Sequence, residues 1–230
     1  MESVEVIETV REPRGETLKG CPEGEVRPIV FYPDERLAEV SAEVTSEMTQ
    51  VDLDKLVSDL ATTMYMCGGM GLSAIQIGVP LRVFVCDITG SQIMKGGSQL
   101  LVAINPVITF PDESEMVGQR EGCLSFPGVN EAVERPNRVI LRARDRHGEP
   151  YVLRTDRLQG RVIQHEMDHL DGEVFLDRMK PMARANAEKS VRRFHDGVKN
   201  DTIRVAAKPK SVPKAATRKK ARKKRKAKRR

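Results

Sequence analysis

Two of the four histidines in this 230-residue chain, His165 and His169, stand four residues apart with Glu166 beside the first, an H-E-x-x-H arrangement. On a helix, residues i and i+4 lie one above the other on one face, so two imidazoles can converge on one ion. Glu166, one position round, then reaches a water on that ion rather than the ion itself. Two imidazoles hold a divalent cation poorly without a third protein ligand, and hydrolases with this motif recruit one from downstream. Here Asp171, Glu173 and Asp177 follow, with no close histidine. Some forty residues upstream, Cys123 in the tight Glu121-Gly122-Cys123-Leu124-Ser125 segment is the alternative ligand.

A helix must carry the histidine pair. Thr155 or Asp156 can cap its start, Leu158, Val162 and His165 fall on one face, and Gly172 offers a left-handed stop. A second helix is predicted from Val51, where Leu53, Leu56, Val57, Leu60 and Met64 recur at three- and four-residue steps until Gly68-Gly69. Gly69-Met70-Gly71-Leu72-Ser73-Ala74-Ile75-Gln76 follows. It lacks the later glycine of a dinucleotide fingerprint and the lysine of a P-loop, so on its own it reads as a turn. Leu81 to Ile88 and Leu100 to Phe110 read as apolar strands around a Gly96-Gly97 turn, with Cys86 a core residue. Arg138 to Asp145 alternates cleanly and turns at an exposed His147-Gly148 into Tyr151-Val152-Leu153, an antiparallel hairpin. Val174-Phe175-Leu176 is a short apolar return, and Pro181 starts a last helix to about Gly197, with His195 a cation near its C-terminus. Without regular βαβ alternation the class reads as α+β, with antiparallel strands and a metal-binding helix.

The length allows one sizeable core with extensions. Residues 1–26 read as a polar, acidic N-terminal extension, residues 27–200 as the globular domain that carries the histidine pair and residues 201–230 as a basic tail. Of the 39 Lys and Arg, 15 lie beyond Asp201, where no acid remains, so a net charge of +6 averages a body near −9 and a tail of +15. Such a tail cannot form a core and is expected to be disordered and to bind polyanions through phosphate contacts. With no aromatic residue in it, base stacking is not expected. Cys21, Cys67, Cys86 and Cys123 are widely spaced, and no export signal or membrane-length apolar run is present, so reduced thiols and a cytoplasmic monomer are expected.

Taken together, Gly69 to Gln76, Glu121 to Ser125 and Gln164-His165-Glu166-Met167-Asp168-His169 resemble the three signature motifs of peptide deformylases, in order and at similar separations. Tyr32-Pro33-Asp34-Glu35-Arg36-Leu37 fits that family's opening, and the resemblance spans about residues 27–195. It implies a site of Cys123, His165 and His169 with a fourth position open to water, the layout of catalysis. A thiolate halves the formal positive charge of such a site, so a strong local base is needed, and Glu166 is that base. The resemblance also implies that the Gln76 side chain and the Leu124 N–H stabilise the oxyanion. Gly69, Met70, Gly71 and Gly122 would run beside the substrate backbone, which replaces the turn reading. Leu158, Val162 and the face of His165 would line an apolar side-chain pocket with Arg161 at its mouth, and Glu121 would pair with Arg135 to hold the cysteine loop.

The implied substrates are formyl-methionyl nascent peptides, the product formate, and the partner of the tail ribosomal RNA. Fe²⁺ is the expected metal, with Zn²⁺, Ni²⁺ or Co²⁺ as alternatives that geometry and supply decide between. Ser73 departs from the family, which commonly has alanine there. Two other readings stay open: an ordinary H-E-x-x-H endopeptidase, and a ribosome-binding module with a relic site.

Overall fold

A computed structural model describes residues 23–88 and 100–199. The Gly96-Gly97 turn, Cys21, the rest of the leader and the basic tail lie outside the described residues.

Three helices, α1 (Gln50–Met66), α2 (Arg157–Leu170) and α3 (Pro181–Lys199), pack with seven strands: β1 (Gly71–Ser73), β2 (Val83–Cys86), β3 (Leu101–Thr109), β4 (Met116–Gly122), β5 (Asn130–Pro136), β6 (Arg138–Arg144) and β7 (Pro150–Asp156). An antiparallel sheet runs in the order β1-β2-β3-β6-β7, and β4 pairs with β5 alone. The α+β class expected from the sequence is the class observed. Among the described residues no helix is long and apolar enough to cross a membrane.

Burial explains the strand patterns. Val83, Val85, Val102 and Ile104 pack with Leu53, Leu56, Val57, Leu60 and Met64 of α1. The alternate residues Phe84, Cys86, Leu101 and Ala103 pack with Val162, Ile163, Met167 and Leu170 of α2. A sheet covered on both faces reads as a continuous apolar run, and β2 is Val-Phe-Val-Cys. Towards β6 only the α2 face is covered, so Val139, Leu141 and Ala143 are buried while Arg138, Arg142 and Arg144 are exposed. Each fully buried Leu or Phe contributes roughly 1.5–3 kcal/mol through apolar burial.

The helices begin and end for local reasons. Thr49 caps α1: its hydroxyl accepts the Asp52 N–H at 3.2 Å and donates to the Asp52 carboxylate at 2.7 Å. Gly68, at φ 72°, turns the chain out of the helix. α2 differs from expectation. Asp156 occupies the N-cap position but makes no capping bond, and the Thr155 hydroxyl faces the Gln159 side chain at 2.8 Å instead. β7 runs directly into the helix, and the Arg157 N–H is taken by Asn137 through its side-chain and main-chain oxygens, each at 3.2 Å. At the other end Gly172, at φ 73°, supplies the expected left-handed stop.

Residues 23–26, placed in the leader by composition, are strapped to α1. The Glu25 N–H donates to Asp59 Oδ1 at 2.7 Å, and a Cβ on Gly24 would meet the Ser58 carbonyl oxygen at 2.2 Å. In α3, His195 is not simply a terminal cation: its Nε2 lies 2.6 Å from the Tyr32 carbonyl oxygen, which ties the helix to the opening segment. Cys86 is buried and His147 exposed, both as expected.

Candidate active site and metal centre

The two histidines project from α2, where burial is continuous from Gly160 to Leu170. Cys123 follows directly after β4. The ligand atoms of Cys123, His165 and His169 all lie within 4.8 Å of one another, and Cys123 Sγ is 3.2 Å from His169 Nε2. Ligands on a tetrahedral ion with bonds of about 2.0–2.3 Å stand roughly 3.3–3.6 Å apart. One thiol and two imidazoles at this spacing fit a single borderline-soft divalent ion. Asp171, Glu173 and Asp177, the downstream alternatives, are not in the cluster.

The outer nitrogen of His165 is held as a metal-ligating imidazole requires. Its Nδ1 lies 3.0 Å from Glu121 Oε2, which leaves Nε2 for the ion. Glu121 is the centre of a buried network. Arg135 donates to both of its oxygens at 2.7 and 3.0 Å, and Arg161 donates to Oε1 at 2.6 Å. Arg135 also reaches Asp168 at 2.8 Å, and Asp168 takes a further 2.8 Å bond from Arg178. The expected Glu121–Arg135 pair is therefore present and larger than expected. It joins β4, β5 and α2. By contrast, His169 Nδ1 is buried without a hydrogen-bond partner among the described residues, so the ring is oriented by packing and by the contact of its Nε2 with Cys123.

The charges follow from this wiring. Burial opposes ionisation of Glu121, yet His165 and Arg135 beside it hold its carboxyl down at about 2. Burial opposes a charge on His165 too, but Cys123 and Glu121 outweigh it and raise the ring well above the ordinary histidine range. His169 goes the other way, pushed well below that range by burial and by the charge on His165. Glu166 is raised above the ordinary carboxylate range chiefly by its burial.

Gln76 arrives on the short 3-10 turn Ala74–Ile77 after β1. The Ser73 N–H donates to its Oε1 at 2.9 Å, and its Nε2 therefore faces Cys123 Sγ at 3.4 Å and Ser125 Oγ at 3.1 Å. Backbone bonds from Val30 to the Gln76 carbonyl oxygen and from Tyr32 to that of Ser125, at 2.8 and 3.0 Å, lock both segments to the opening segment of the domain. The Leu124 N–H makes no backbone bond to another described residue.

A cavity of about 970 Å³ opens in front of these groups. Gly69, Met70, Gly71, Gly122, Leu158, Arg161 and Val162 all line it, together with Gln76, Cys123, Leu124, His165 and Glu166. His169 lies behind this wall. Leu158 is 41% exposed and stands at the rim, whereas the Arg161 guanidinium is buried against Glu121 and the carbonyl oxygens of Val133 and Val117. Arg161 thus lines the cavity while its guanidinium is committed to the network. Sequence reasoning missed Arg27, Met66 and Cys67 on the rim and Ser125 beneath Gln76. Only the motif position of Ser125 hinted at a role. Among the described residues all cysteines are free.

The family model described as polypeptide deformylase matches residues 26–185. Over 166 residues the chain is 41% identical to the peptide deformylase of Alkalilimnicola ehrlichii, covering 72% of this chain and 89% of that one. It is equally, 41%, identical over 170 residues to that of Cellvibrio japonicus, covering 73% and 95%. The crystal structure of a peptide deformylase from Legionella pneumophila superposes with a TM-score of 0.68 at 34% identity, covering 79% of this chain and 100% of that one. Plant peptide deformylase PDF1B does so at 0.68 and 33%, covering 78% and 94%. Agreement of this extent, along nearly the whole of each relative, means that the chain belongs to the peptide deformylase family.

Proposed function

We propose that the chain removes the N-terminal formyl group from formyl-methionyl nascent peptides through Cys123, His165, His169, Glu166, Gln76 and Leu124. The observation that carries this is the convergence of one sulfur and two imidazoles beside a buried carboxylate at the end of an apolar cavity. Cys123, His165 and His169 hold one divalent ion, with Fe²⁺ the preferred candidate. When bound, it supplies Lewis acidity and makes a water acidic enough to attack near neutral pH.

The chain's own groups do the rest. Glu166 takes the proton of the attacking water as its oxygen bonds to the formyl carbon, and gives that proton to the amine nitrogen as the C–N bond breaks. Formate and a free amino terminus result. The Gln76 carboxamide N–H and the Leu124 N–H donate to the carbonyl oxygen as it gains charge, which in a dry site is worth about 3 kcal/mol per donor. β1 lies at the edge of its sheet, so its outer side offers a backbone for the peptide to pair with. Val162 and Leu158 give the methionine side chain an apolar wall.

Formate release from a formyl-methionyl tripeptide, but not from its acetyl counterpart, tests this reading; absence of release with bound metal present contradicts it. The basic tail, residues 201–230, is assigned contact with ribosomal RNA on charge density, for a cytoplasmic monomer acting where its substrates emerge. Ribosome co-sedimentation that falls with salt and disappears when residues 208–230 are removed supports that assignment; unchanged co-sedimentation rejects it.

A further inference from the structure

Strand β1 meets Glu166 twice. Ser73, wholly buried, places its Oγ 2.6 Å from Glu166 Oε2 and 3.0 Å from the Glu166 carbonyl oxygen. Two residues earlier, a Cβ on Gly71 would stand 2.3 Å from Glu166 Oε1 and 2.9 Å from its Cδ. Residues i and i+2 of a strand share a face. One strand therefore addresses both carboxylate oxygens, one with a hydroxyl and the other with the space left by a missing side chain. Among the described residues no other group hydrogen-bonds either oxygen.

We infer that β1 sorts the two oxygens of Glu166: Ser73 anchors Oε2, and Gly71 leaves Oε1 as the oxygen free to take and return the proton. The inference rests on Glu166 being the proton carrier proposed above. A glutamate side chain has three rotatable bonds, and proton transfer needs one oxygen at hydrogen-bond reach in one orientation. The Ser73 hydroxyl has a single proton, and of its two candidate acceptors the shorter contact assigns that proton to Oε2 rather than to the Glu166 carbonyl oxygen. The Ser73 N–H meanwhile fixes the Gln76 carboxamide at 2.9 Å. One residue thus sets the orientation of both the base and the oxyanion donor. The alanine common in the family can do the second of these and not the first. Ser73 is a positioning residue.

The test uses the full-length, metal-loaded protein and its Ser73→Ala, Ser73→Thr and Glu166→Ala variants. Ser58→Ala serves as control, because its Oγ is also buried and has no partner among the described residues. Ser73→Ala is expected to lower kcat about fivefold with KM within about twofold. Ser73→Thr, which keeps the hydroxyl, recovers most of that loss, and Ser58→Ala matches the wild type. Crystal structures of metal-loaded wild type and Ser73→Ala are expected to show the Glu166 carboxylate turned out of its wild-type rotamer in the variant. Loss of activity in Glu166→Ala with kcat and rotamer unchanged in Ser73→Ala overturns the inference alone. Wild-type formate release by Glu166→Ala overturns the proton-carrier reading and the inference with it.

Discussion

Cys123 Sγ lies 3.2 Å from His169 Nε2, although 46 residues of chain separate them. The contact depends on two anchors: Tyr32, whose N–H holds the Ser125 carbonyl oxygen, and Glu121, which joins the end of β4 to His165. Replacing the sulfur by a weaker ligand in the same position should loosen the ion. We expect Cys123→Ser to retain the fold but to lose at least about tenfold in metal affinity, measured by elemental analysis after dialysis against a graded chelator. An ordinary H-E-x-x-H endopeptidase would keep its metal through this change.

Arg135 is 3% exposed and neutralises two buried carboxylates, those of Glu121 and Asp168. Arg135→Ala leaves Glu121 to Arg161 and Asp168 to the half-exposed Arg178 but removes the cation the two carboxylates share, and breaking a buried charge network in this way costs about 3–5 kcal/mol. Equilibrium unfolding in urea should show a midpoint lowered accordingly. Arg135→Lys should rescue little, because an ammonium cannot fork between two carboxylates.

The strap across α1 is acid-sensitive. Burial raises Asp59, but Lys55, the Glu25 N–H and Arg27 more than offset it and hold the carboxyl below its ordinary value. A folded-state value below the unfolded one means that this stabilisation is fully present above the unfolded value of about 4 and is lost as pH falls through the folded value. Unfolding free energy followed from about pH 5 to pH 2 should decline less steeply in Asp59→Asn than in the wild type. Equal slopes would show that the strap carries no such linkage.

How far the residues announced all this depends on what each element buries. α1 and β2 are legible because their patterns reflect apolar contact on one face or on both. The β6–β7 hairpin is legible because Val139, Leu141 and Ala143 alternate with arginines. β4 and β5 escaped notice because what they bury is largely charged: Glu121 on β4, and Arg135 beside Val133 on β5, invert the usual pattern. α2 begins after Asp156 as its sequence suggests, but without the capping bond, because its first N–H is satisfied from Asn137, twenty residues away. Of the site, the histidine pair follows from spacing and Cys123 stands beside the downstream acids as an alternative third ligand, whereas the choice of Cys123 and the roles of Gln76 and Leu124 needed the family resemblance. Arg161 looks like a rim residue from helix periodicity alone; only the position of Glu121 shows where its guanidinium goes.

Gly71 has no room for a side chain. A Cβ would lie 2.3 Å from Glu166 Oε1 and 2.9 Å from Val162 Cγ1, so the carboxylate must move. Gly71→Ala is expected to reduce kcat/KM by at least about a hundredfold, as misplacement of a reacting group by about 1 Å does. Both neighbours are side chains, so the melting temperature should change by only a few degrees. Retained activity would show that Oε1 need not occupy that place.

The most direct measurement combines metal content and formate release on protein prepared and assayed without air. The expected result is about one divalent ion per chain, with release from formyl-methionyl peptide abolished by chelation and restored by adding Fe²⁺. Undiminished release after the metal has been stripped to background would contradict an ion held by Cys123, His165 and His169 as the seat of the reaction.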